Sequence, residues 1–204
     1  MLLRLVAFCL LIEIGSVSCK SKEEDKLSGA EFAALVGLLG SYGQTNQDAD
    51  TAWGIVATAG KFRTDMILTY GAAQNTTDTC PGGGQVTITG SFTKPSTDTL
   101  VNLQYQFQSC RILLDANVPS FVRSGLTLTS DYTITGTMTE SGSYNSSTTS
   151  LNYSATNLTV TGSQTNTGYA LGSPATISNS NCEITIRRPT KGLNGTICTR
   201  SFAY

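Results

Sequence analysis

Six cysteines carry most of the chemistry open to this chain of 204 residues: Cys9, Cys19, Cys80, Cys110, Cys182 and Cys198. The last four lack the paired Cys-x-x-Cys knuckles of a zinc site, and disulfide bonding is the better use for them. Four cysteines allow three pairings, and hairpin symmetry favours Cys80 with Cys110 and Cys182 with Cys198. The second pair is centred on Thr190, inside a turn expected over Pro189 to Gly192. A simple hairpin there sets the two residues opposite each other at about 4.5–5.5 Å, within disulfide range. The first pair is centred on Pro95, but its flanking strands are out of phase. Val86 and Ile88 carry even numbers whereas Leu103 and Phe107 carry odd ones, so the ladder needs an offset. The run Gly82-Gly83-Gly84 can absorb it. That run lacks the Lys-Ser/Thr pair of a phosphate loop and reads as a turn.

Other reactive groups are sparse. The chain has no histidine, which removes the usual general base at neutral pH and the commonest metal ligand. Carboxylates such as Asp65 and Asp115 remain, yet nothing in the sequence pairs them. The expectation is a protein without catalysis, bound metal or cofactor. A net charge of −1, with both signs scattered, gives no footprint for nucleic acid.

The elements that must position these residues follow two periodicities. From Leu27 to about Ala73 the spacing is helical. Ser28-Gly29-Ala30-Glu31 fits a capping box, followed by Phe32, Leu35, Val36, Leu38, Leu39 and Tyr42. A second helix is expected from near Asp50 through Trp53, Val56, Ala57, Phe62, Met66 and Ile67, with Trp53, the only tryptophan, in the core. After Asn75 the period becomes two. Val86 and Ile88, then Leu103, Tyr105 and Phe107, then Leu126, Leu128, Tyr132, Ile134 and Met138 alternate with Thr, Ser, Asn and Gln. Leu151, Tyr153 and Ala155 hold one phase and Leu158 and Val160 the other, which predicts a bulge near Thr156-Asn157. The connections are too short for crossover helices. The expected class is therefore α+β, with N-terminal helices packed against a twisted antiparallel β-meander, a half-barrel-like sheet. The helical segment spans 27–74 and the meander 75–204, as one domain. Asn75, Asn145, Asn152, Asn157 and Asn194 head N-x-S/T triplets, which chance also produces in a chain this rich in Asn, Ser and Thr.

The N-terminus has the pattern of an export signal over residues 1–18. Arg4 supplies a positive start, Leu5 to Ile12 an apolar stretch too short to span a bilayer, and small residues surround Cys19 in Gly15-Ser16-Val17-Ser18-Cys19. This segment resembles the lipobox of bacterial lipoproteins, those of spirochaetes among them, where Ser16 stands in place of the usual Leu. The resemblance implies acylation of Cys19, an outer-membrane or cell-surface location in the bacterial envelope, and residues 19–26 as a hydrophilic tether. Ordinary cleavage after Ser18 is the alternative and leaves an unlipidated, secreted, disulfide-bonded protein. The function expected is that of a binding or structural module, with the membrane as one partner and an envelope or extracellular protein as the other. A lipid or lipoprotein carrier with an apolar cavity is the second reading, on architecture alone.

Overall fold

Strands form where β-branched and aromatic residues alternate with hydroxyl and amide side chains, because such residues suit a half-buried pleated surface. The computed structural model describes residues 47–64, 73–117, 127–166 and 175–203. The strands are β1 (Ala73–Thr79), β2 (Gln85–Thr93), β3 (Thr99–Asn117), β4 (Thr127–Tyr144), β5 (Thr149–Asn166), β6 (Ala175–Pro189), β7 (Asn194–Ile197) and β8 (Arg200–Ala203). They pair in chain order, every pair antiparallel, as one open eight-stranded sheet. One helix, α1 (47–64), belongs to the described residues.

This corrects the expected α+β class: the protein is mainly β, and a set of N-terminal helices packed on a meander is not what is found. The four central strands are 15 to 19 residues long, where about 5–6 is usual, so sheet outweighs helix. β1 begins at Ala73, inside the segment expected to be helical. The first expected helix, with its capping box at Ser28, lies outside the described residues, as do Met66 and Ile67 of the second.

Strands of this length must bend to keep one face on a common core, and β-bulges supply the bend. Register shifts lie between Phe107 and Cys110 on β3, Thr135 and Thr139 on β4, and Ala155 and Leu158 on β5. The last is the bulge anticipated from the change of phase at Thr156-Asn157. Ser109 (φ 47°) and Asn181 (φ 50°) take left-handed backbone conformations in β3 and β6. Gly136 (φ 120°) sits in the β4 shift, where a Cβ would lie 2.6 Å from the Asn157 carbonyl oxygen, so only glycine fits without strain. The bulges form a row across β3 to β6 and divide the sheet into two parts. On one side all eight strands are present; on the other only β3 to β6 continue.

Both disulfides lie on this row. Cys110 and Cys182 each follow a left-handed bulge residue. Cys80 lies in the β1–β2 connection and Cys198 in the two-residue β7–β8 turn with Thr199 (φ 48° and 71°). The pairs are Cys80–Cys110 and Cys182–Cys198, with Cα separations of 5.4 and 4.8 Å. The offset needed by the first pair is met as the sequence suggests. Val86 pairs with Phe107 and Ile88 with Tyr105, while the glycine run closes a turn in which the Gly83 N–H donates to the Cys80 carbonyl at 2.9 Å. The second pair departs from a simple hairpin. Ile184 faces Ile197, so Cys198 falls just beyond β7, where its N–H donates to the Glu183 carbonyl at 3.0 Å.

Each disulfide thus ties a short outer hairpin to the bulge of a long strand. They close loops with sequence separations of 30 and 16 residues, a constraint on the unfolded chain of about 3 kcal/mol each in the chain-entropy model. Replacing Cys182 and Cys198 together by alanine is expected to lower the unfolding free energy by about that amount. Urea titration of the variant against the parent, read at matched slope, measures it.

Candidate functional site

A sheet that is apolar on its inner face rejects polar residues there unless they have partners. Besides the small hydroxyl residues Thr99 and Ser130, three carboxylate or amide residues occupy the inner phase of the described strands. Glu140 lies in phase with Ile134 and Met138 on β4, Gln164 with Leu158 and Val160 on β5, and Asn179 with Ala175 and Ile177 on β6; all three are buried. Each belongs to a hydrogen-bonded cluster involving α1 residues, and together they dock the helix on the sheet.

Near the C-terminal end of α1, Arg63 Nη1 donates to Glu140 Oε1. The Tyr153 hydroxyl donates to the same oxygen at 2.9 Å, and the Tyr105 hydroxyl to Oε2 at 2.5 Å. The guanidinium of Arg63 also lies 5.0 Å from the centre of the Tyr144 ring, within cation–π range. Burial opposes the charge on Arg63, but the attraction of Glu140 more than offsets it and raises the guanidinium above its ordinary value. Burial and the neighbouring Glu140 push Tyr105 and Tyr153 upward, so both stay neutral donors.

Toward the N-terminal end, Gln164 Oε1 accepts from the hydroxyls of Tyr132 and Thr51, the latter at 3.2 Å, while its Nε2 donates to the Gln47 carbonyl at 3.0 Å. The buried Tyr132 ring also packs on Gly54, where a Cβ would come within 2.7 Å of it. A larger residue at 54 would lift the helix from the sheet. In the third cluster Arg200 on β8 makes a two-pronged contact with Asp48 at 2.8 and 2.9 Å and donates to Asn179 at 2.9 Å. Its guanidinium is held above the ordinary value by the hydrogen bonds to Asp48. Trp53 is buried in the core, as its position suggests, with the Arg188 guanidinium 5.5 Å from its ring centre.

Chemically these groups are committed. Glu140 accepts three hydrogen bonds from the protein, and the cluster clamps α1 to the sheet. Of the carboxylates considered from sequence, Asp65 lies outside the described residues. Asp115 is exposed on β3 and lines a surface pocket of about 280 Å³ with Leu113, Thr129 and Asp131. Asp131 there is paired on the outer face with Arg111 at 2.7 and 2.8 Å, and those hydrogen bonds lower its carboxyl below the usual range. Cys19 and the leader also lie outside the described residues. Asn145 donates through Nδ2 to Asp98 Oδ1 at 2.6 Å, tying the β4–β5 turn to the β2–β3 connection. Its side-chain oxygen accepts from the Ser147 and Thr148 N–H groups, both at 2.7 Å, and fixes the β4–β5 turn. Among the described residues no group of three or more His, Cys, Asp and Glu is placed to hold a metal ion. Among the same residues no helix is long and apolar enough to cross a membrane, which leaves β-barrels unaddressed.

Glu140→Gln is expected to cost about 3 kcal/mol or more, because it leaves a buried guanidinium without its counter-charge. Adding Arg63→Met should recover much of that loss, since the substituted amide can accept from one tyrosine hydroxyl and donate to the oxygen of the other. Chemical denaturation of the single and double variants tests this coupling. A second outcome concerns pH. Tyr105, Tyr132 and Tyr153 are raised above the ordinary 10.0 chiefly by burial. Their contribution to stability is complete below that value and is lost as pH rises from it toward their folded-state values. Of the eight tyrosines, these three should ionise only together with unfolding, observed as a delayed step in the ultraviolet titration.

No family model matches the chain, and neither a curated protein nor a solved structure is significantly similar to it.

Proposed function

We propose that this chain is an exported protein of the bacterial envelope, anchored by lipid on Cys19, that serves as a binding or structural module without catalysis. The observation that carries this reading is the pair of disulfides, Cys80–Cys110 and Cys182–Cys198. Such bonds persist in oxidising compartments and are rare in the cytosol. The resemblance of Gly15 to Cys19 to a lipobox adds the anchor, and the hydrophilic stretch after Cys19 adds a tether. The outer face of the sheet, built from threonine, serine, asparagine and glutamine, suits a protein that stays soluble with few charges. The committed hydrogen bonds of Glu140 fit a scaffold better than an enzyme.

Mass spectrometry of the mature N-terminus, after expression in a bacterium with a lipoprotein-processing pathway, tests the reading. Acylated Cys19 is the expected product, and Cys19→Ala should release the protein from the membrane fraction. A mature chain that begins at an unmodified Cys19 would overturn the anchor and leave the secreted form. A retained leader with reduced Cys80, Cys110, Cys182 and Cys198 would overturn export itself.

A further inference from the structure

The two edges of the sheet are protected unequally. An edge strand offers unpaired backbone donors and acceptors to any other strand, and proteins blunt it by short length, Lys or Pro, bulges or cover. β8 is four residues long, and Arg200 at its start is bound to Asp48 and Asn179. Among the described residues β1 has none of these devices. It is seven residues long, Ala-Gln-Asn-Thr-Thr-Asp-Thr, without Lys, Pro or Gly. It pairs with β2 in unbroken register from Ala73–Ser91 to Thr79–Gln85.

β1 is also bare on both faces over residues 75–79, whose side chains are all exposed. Thr76 and Asp78 lie opposite Ile88 and Val86, which are fully buried, so the inner face of the sheet passes from core to solvent between β2 and β1. Ordering a strand costs about 1–2 kcal/mol per residue. Against that cost β1 has one backbone ladder and a Thr77–Thr87 hydroxyl contact at 3.0 Å.

We propose that β1 is a self-association edge that pairs antiparallel with β1 of a second copy of this chain, about a twofold axis at Thr76, to give a continuous sheet across the dimer. Such an interface is isologous and closes on itself. The sequence suits its own reverse. Thr76 faces Thr76 of the second copy, Asn75 faces Thr77, and Gln74 faces Asp78. Asp78, the one charge in the strand, therefore meets a neutral amide instead of its own copy. Its carboxylate is also held locally by the Thr79 N–H at 2.7 Å. Threonine at the centre favours strand pairing and adds no charge to bury.

Sedimentation velocity of the mature full-length chain over a concentration series should show a monomer–dimer equilibrium. Thr76→Lys, which sets two ammonium groups face to face on the axis, should weaken it about tenfold or more. Thr76→Cys should form an intermolecular disulfide under mild oxidation far faster than Thr139→Cys, an exposed position in mid-sheet. Matching circular dichroism and melting curves establish that the variants fold. A chain that stays monomeric throughout, with both cysteine variants cross-linking equally slowly, would overturn the proposal. So would a dimer indifferent to both changes at Thr76.

Discussion

Glu140 places a carboxylate where the sheet leaves no water, and the docking of the helix follows from that charge. A buried carboxylate is tolerated only with a counter-charge and donors for its lone pairs. Arg63 supplies the first, and Tyr105 and Tyr153 the second. Because Arg63 is on α1 and its partners are on β3, β4 and β5, the requirement fixes how far along the sheet the helix lies. Gln164 fixes the other end through Thr51 and Gln47. α1 buries Trp53, Ile55, Val56 and Phe62 beside small residues at Ala49, Ala52 and Ala59, and the polar contacts add direction to that packing. Tyr132 packs into the gap left at Gly54.

The bulge row and the disulfides solve a different problem. α1 makes polar contacts with β3, β4, β5 and β8, and the outer hairpins bury Val86, Ile88 and Phe92 from β2, Ile197 from β7 and Phe202 from β8, while their outermost strands offer little more. β1 is exposed throughout residues 75–79, and β7 and β8 are four residues each. Covalent ties at the bulges add to that burial. Ser109 and Asn181 bend the long strands, and the cysteine that follows each one reaches across to the turn of the neighbouring hairpin. The same backbone irregularity that curves the sheet presents the sulfur.

How much of this is legible in the sequence follows from which signals are local. Period two marks the inner faces of β2 to β5, and the change of phase between Ala155 and Leu158 locates a bulge. Parity of Val86 against Phe107 announces the offset that the glycines absorb. β1 leaves no such trace, because residues 75–79 bury no side chain and so have no apolar phase to read. The early part of β6 escapes notice because Ala175, Ile177 and Asn179 form a weak pattern behind an expected loop. The class is obscured for related reasons: helical spacing over 27–74 is easier to see than the length to which the strands extend. The clamp itself is readable in principle. Glu140, Gln164 and Asn179 occupy the inner phase of their strands, and a polar residue at such a position requires a partner from elsewhere in the chain. The identity of that partner is not a local signal, since Arg63 and Glu140 are 77 residues apart.

Disulfides carry a larger part of this architecture than their number implies. In a domain with one core, loss of a cross-link lowers stability but leaves the packing to hold each element. Here the core reaches β2, which buries Val86, Ile88 and Phe92 and pairs with β3 from Gln85 to Thr93, whereas β1 lies beyond it and joins β2 through the turn that contains Cys80. Without the bond to Cys110 the turn is held by backbone contacts of Gly82 and Gly83 with Arg111. Those contacts lie at the surface, where water competes for both groups, and such hydrogen bonds contribute about 0.5–1.5 kcal/mol each. β1 and the turn at Cys80 are therefore the parts most dependent on that disulfide. The two disulfides at the ends of the sheet accord with the proposed export, since such bonds persist in oxidising compartments.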